Sequence, residues 1–269
     1  MSLSETGCGE AGAATCSDPV AGESPDSLKV GVAFSARRCL SLALLAGLIA
    51  AIASWMGGES IYRRFIPPLI ATGGFPTIEE TEAAERARRN GVATEAALTI
   101  AMQGAALGLT LSLAGAMLAG RALSGMRTGL AGMVIGGLAP GVAAWGLMPV
   151  FLRYYNPDKD MLLLAMAIHG CVAMVTGAAA GLAFGLGLSG GGGGRRARFV
   201  SSSLQGGLLG AGVAMLIFQI AGMVVFPLSQ TTLPISITQA SRLTSHLLVA
   251  LFAAAGAARG AIEIQRNKT

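Results

Sequence analysis

Met161 to Leu188 reads MLLLAMAIHGCVAMVTGAAAGLAFGLGL, 28 residues without one Asp, Glu, Lys or Arg. An uncharged apolar run of about 18 residues or more can cross the hydrocarbon of a bilayer as a helix. Similar runs recur on both sides of it. They predict spans at about 39–56, 96–119, 129–152, 161–188, 204–228 and 243–258. The first is about 27 Å long at about 1.5 Å per residue, close to a hydrocarbon core near 30 Å. The last is the shortest and opens on Thr244, Ser245 and His246. The expectation is an all-α integral membrane protein with about six transmembrane helices.

Composition agrees. Apolar residues make up 53% of the chain and charged residues only 12%, against about 25% charged in a soluble domain. The 39 glycines are costly in water-exposed helices but suit membrane helices that press backbone against backbone. The net charge of +5 does not point to nucleic acid, because the basic residues flank apolar blocks instead of lining one face. That placement fixes membrane orientation. With the amino terminus inside, eleven Lys and Arg fall on the inner side and eight on the outer, five of these in one loop. Both termini are therefore expected to be cytoplasmic, in a plasma or inner membrane. Cys8, Cys16, Cys39 and Cys171 form no CxxC pair, so neither a zinc site nor a disulfide framework is indicated.

Residues 1–36 are polar and acidic, too poor in apolar surface to offset ordering entropy, and read as a disordered cytoplasmic tail. The bundle occupies 37–262, and 263–269 is a short second tail. Two readings of the first span stand side by side: an uncleaved anchor, or a signal segment ending at Ala51-Ile52-Ala53 behind Arg37-Arg38. Residues 57–95 read as a long outer loop, with Pro67-Pro68 forbidding regular helix. Within it, Thr77 and Glu80 have capping-box spacing, and Glu82/Arg86 and Glu85/Arg89 are spaced i,i+4. A short surface helix is predicted from about Ile78 to Arg89, stopping at Asn90-Gly91.

Gly104-Ala105-Ala106-Leu107-Gly108-Leu109 resembles Gly177-Ala178-Ala179-Ala180-Gly181-Leu182, 73 residues on, and Gly137 and Gly210 share that offset. Three tandem helical hairpins are a candidate architecture. Glycines four apart also recur at Gly132/Gly136, Gly137/Gly141, Gly206/Gly210 and Gly256/Gly260. These faces let helices approach closely within the chain, in a homo-oligomer, or against a membrane partner.

No Asp, Glu, Lys or Arg lies deep in a predicted span; Glu95 stands at the outer entrance of the second. Ion-coupled carriers usually need intramembrane charge. No GxSxG, HExxH or P-loop lysine motif occurs, so no enzyme, metal or cofactor is indicated. The candidate polar residues are neutral: Gln103, His169, Thr176 and Gln219. Each needs a partner inside hydrocarbon, so they are expected to face the bundle interior. His246 is assigned to the outer interface. Pro140 frees a carbonyl and is a candidate helix kink. Two function classes remain: small-solute or ion permeation, which requires a polar cavity at Gln103, His169 or Gln219, and a structural or assembly subunit, which requires a dry bundle.

Overall fold

A computed structural model describes residues 35–67, 77–156, 161–189, 194–226 and 232–267. The tails at 1–34 and 268–269, most of the five-glycine run and Pro68 lie outside the described residues. The fold is six helices: α1 (Ala36–Ile61), α2 (Ile78–Leu118), α3 (Ala122–Tyr154), α4 (Leu162–Leu188), α5 (Gly194–Val225) and α6 (Gln239–Arg266). Each is long and apolar enough to span a membrane.

The bundle puts large side chains outside and small ones inside. On α3, Leu130, Val134, Leu138, Val142 and Trp145 are each more than half exposed and follow one another every three or four residues. That spacing is one helical stripe. An exposed apolar stripe of this kind suits contact with lipid. The interior is largely alanine, with Ala43, Ala50, Ala180, Ala254 and Ala257 fully buried. Lipid tails solvate leucine as well as another leucine does, so close backbone approach is what remains to hold such helices together.

Glycines set those approaches. A Cβ on Gly104 would run into the Gly136 carbonyl and come within 2.6 Å of Pro140 Cγ; one on Gly136 would meet the Gly104 carbonyl. Gly108 and Gly132 oppose each other in the same two-way manner. Pro140 explains part of this geometry. It has no N–H for the carbonyl four residues back, which is that of Gly136, and that carbonyl lies against Gly104 instead, where a Cα–H can face it. α3 continues through Pro140 and Pro149 without a break in its assignment.

The same reciprocal crossing joins α4 to α5, where Gly177 meets Gly207 and Gly181 meets Ser203. α5 crosses α6 at Gly206/Gly256. All six glycine pairs named from the sequence face another helix of the same chain, so those faces are occupied internally. The α2–α3 and α4–α5 crossings correspond, and α2–α3 is closed by a tight turn in which Gly120, at φ +70, follows the helix end. There Gly120 N–H donates to the Met117 carbonyl and Arg121 N–H to that of Ala116, the double bond of a glycine C-cap.

Helix boundaries reach beyond the predicted spans: α1 runs on to Ile61 and α6 to Arg266, and α3 begins at Ala122 and α5 at Gly194, seven and ten residues early. The capping box at Thr77 and Glu80 is present, but the helix does not stop at Asn90-Gly91. It continues to Leu118 as one element of 41 residues, so 78–95 is not loop. Gly91 is needed for another reason: a Cβ there would collide with the Phe65 carbonyl of the segment leaving α1. α6 likewise begins at Gln239, four residues before the predicted span.

The exit from α1 is strained. Arg64 N–H donates to the Ile61 carbonyl at 3.0 Å, Tyr62 has φ −53 and ψ 126, and Arg63 has φ 62. This is the pattern of a type II turn, whose third position favours glycine. A side chain there costs about 1–2 kcal/mol. Arg63→Gly is expected to stabilise the detergent-solubilised protein by about 1 kcal/mol; a lower thermal midpoint in the variant would count against this reading of the turn.

Candidate solute cavity

α2, α4, α5 and α6, with Met148 of α3, line a cavity of about 80 Å³ that is partly open to the outside. Its walls include Gln103 from α2, His169 and Thr176 from α4, Gln219 from α5, and Arg242 and His246 from α6. Leu233 to Ser236, ahead of α6, close one end. The structure thus brings all four polar residues singled out in the sequence to one space. Pro140 is not among the lining residues; its place is the α2–α3 crossing.

Hydrogen bonds tie the wall together. Gln103 Nε2 donates to the His246 carbonyl at 3.4 Å, and Ser54 Oγ of α1 lies 2.9 Å from His246 Nδ1. Thr176 Oγ1 donates back to the Val172 carbonyl at 2.9 Å. Gln219 Nε2 and His169 Nδ1 are 3.0 Å apart. The His169 ring also packs against Phe151 at 5.2 Å between centroids. One contact does not complete the His169–Gln219 pair: His169 Nε2 and Gln219 Oε1 are buried with no hydrogen-bond partner. Buried polar atoms without partners are uncommon and mark a site where something else can bind.

At the Arg242 end, an ion pair closes the cavity. Arg242 Nε and Nη2 lie 2.6 and 2.8 Å from the two carboxylate oxygens of Glu59. Its Nη1 donates to the carbonyls of Ser236 and Ile237 at 3.0 and 2.8 Å. The guanidinium stacks over the Tyr62 ring at 3.8 Å. One side chain therefore joins α1, α6 and the segment that covers the cavity. Near it, Glu95 is buried to 1% exposure and neither of its oxygens closes a hydrogen bond, although the Arg63 backbone amide faces it.

These residues correct one expectation, that 57–95 and the stretch before residue 243 lie outside the spanning helices. Glu59, Glu95 and Arg242 are charged groups within helices, not beyond their ends. Glu59 and Arg242 neutralise each other in a bidentate, stacked arrangement; Glu95 has no such partner. His246 is buried and lines the cavity. A signal for this existed: starting α6 at Thr238, a fit N-cap, puts Arg242, His246 and Val249 on one stripe. Nothing in the sequence marked Ser54 as the partner of His246.

No family model, curated protein or solved structure matches this chain. Six apolar helices with lipid-compatible outer faces define it as a multi-pass membrane protein.

Proposed function

We propose that this protein lets a small uncharged solute cross the membrane by way of the cavity among α2, α4, α5 and α6. The observation that carries the reading is the meeting of Gln103, His169, Thr176 and Gln219, from three different helices, on one space inside apolar spans. Burying amide and imidazole groups in hydrocarbon is expensive, and a structural anchor gains nothing from collecting them around a void. A water needs about 10–15 Å³ measured this way, so 80 Å³ has room for several. The internal use of every glycine pair also removes the feature that favoured an assembly subunit. Among the described lining residues the one Asp, Glu, Lys or Arg is Arg242, matched by Glu59, which favours a neutral solute over an ion.

The full chain reconstituted in liposomes is expected to raise permeability to water or small neutral solutes above that of protein-free vesicles. Thr176→Phe, which fills the cavity from α4, should return it to the protein-free level. Identical permeability with and without the wild-type protein, for every solute of four heavy atoms or fewer, would remove the reading.

A further inference from the structure

The cavity's walls specify more than polarity. Its lining hydrogen-bonders besides Arg242 are Gln103, Gln219, His169, His246 and the hydroxyls of Thr99, Thr176, Ser236 and Ser245, all able to donate and accept. His169 and Gln219 sharpen this. If His169 Nδ1 accepts from the Gln219 amide, then Nε2–H remains as an unused donor and Gln219 Oε1 as an unused acceptor. If the tautomer and the amide are both reversed, the unused groups exchange roles: Nε2 accepts and the Gln219 NH₂ donates. In either state the pair has one donor and one acceptor left over. Both side chains are at least nine-tenths buried, at 3% and 0% exposure. Neither atom is open to the cavity as placed, so a guest would reach the pair by turning the terminal Gln219 amide, a broad and soft torsion, and by shifting the His169 ring.

Size narrows the choice. An apolar cavity of about 150 Å³ admits benzene, with six heavy atoms, so one of about half that volume admits roughly three or four. Charge narrows it again, since the Arg242 guanidinium is already engaged by Glu59 and two backbone carbonyls.

We infer that the cavity is a binding site for small primary amides, of the size of formamide, acetamide or urea, read by the His169–Gln219 pair. This rests on the permeation reading for the route across the membrane, but the amide site itself does not require it. A carboxamide holds a C=O acceptor and an N–H donor in one rigid plane, the complement of what the pair has unused in either of its states. A diol of the same size carries hydroxyls on a rotatable bond and matches less well.

The test compares acetamide and urea with ethylene glycol, which also has four heavy atoms, on the full chain in liposomes. Wild-type protein should pass the two amides about tenfold faster than the diol, the scale of one well-placed hydrogen bond. Excess urea should slow acetamide. Gln219→Leu, checked for monodisperse elution, should abolish the preference, and Cys171→Ser, on the exposed face of α4, should retain both the preference and the diol flux. Equal flux of amides and diol in the wild type overturns the amide site and leaves permeation standing. Should no solute pass, the permeation reading falls, and saturation-transfer NMR of acetamide on the detergent-solubilised chain decides the site. A signal lost in Gln219→Leu supports it, and no signal in the wild type overturns it.

Discussion

Gly108→Ala is expected to destabilise the bundle by about 3 kcal/mol, near the upper end for overpacking. A Cβ at this position would collide with the carbonyl of Gly132 and stand 2.7 Å from its carbon and 3.3 Å from Gly136 Cα. All three are backbone atoms, which no rotamer change can move aside. α2 and α3 would have to separate, losing contacts along the whole Gly104–Gly136 crossing. Two other helical glycines supply the control. At Gly146 and Gly170 nothing lies within 4 Å of where a Cβ would stand, so alanine there removes the helix penalty of glycine at no steric cost. Those variants should gain about 0.5–1 kcal/mol. Thermal unfolding in one detergent, with all three variants side by side, reads the opposite signs. A Gly108→Ala protein as stable as wild type would mean the helices do not touch where they are placed.

Much of the fold was legible because it depends on composition over long windows. An uncharged run such as Met161–Leu188 has one reading, and six of them define the spans. Boundaries were less legible because helix ends here are set by caps and tertiary contacts. Asn90-Gly91 has a stop signal's composition, yet Gly91 serves the passage of Phe65 over α2, a contact between distant residues that no local pattern contains. The sixth span looked too short because Arg242, Ser245 and His246 interrupt its apolar start. The polar groups of Arg242 and His246 are satisfied by Glu59 and Ser54 of α1, and once satisfied they no longer exclude the segment from the bundle.

The cavity was half legible. Neutral polar residues inside apolar spans must find partners, so Gln103, His169, Thr176 and Gln219 could be expected to point inward. That they share one space depends on how helices two and more apart in sequence come together. Counting charges by their distance from the apolar windows hid the ion pair, because a charge is excluded from hydrocarbon only while it is alone. Of the glycines at the offset of 73, Gly104 and Gly177 each meet a glycine of the following helix, Gly136 and Gly207, whereas Gly137 packs on α2 and its counterpart Gly210 packs on α6. The sequence could not show that the matching partners lie across the α2–α3 and α4–α5 turns.

Arg242→Ala should be the most damaging change at the cavity, destabilising the protein by about 2–3 kcal/mol, the scale of charge-assisted hydrogen bonds lost from a partly buried pair. The Arg242 side chain is 10% exposed and that of Glu59 22%, so the carboxylate left behind is poorly hydrated. The Ser236 and Ile237 carbonyls lose their donor, and Tyr62 loses the cation over its ring. Arg242→Lys should recover less than half of the loss, since an ammonium cannot serve a bidentate carboxylate, two carbonyls and a ring at once. Glu59→Leu combined with Arg242→Met separates the charge from the packing. Replacing both partners with apolar side chains of similar size is often close to neutral for stability, yet it removes the tie between α1 and the Leu233–Ser236 segment that covers the cavity. If that tie restrains passage, the double variant should stay folded and leak solute faster than wild type. Denaturant unfolding gives the coupling energy through the double-mutant cycle. A coupling near zero would show the pair to be a surface contact, and unchanged flux in a folded double variant would show that the covering segment does not control entry.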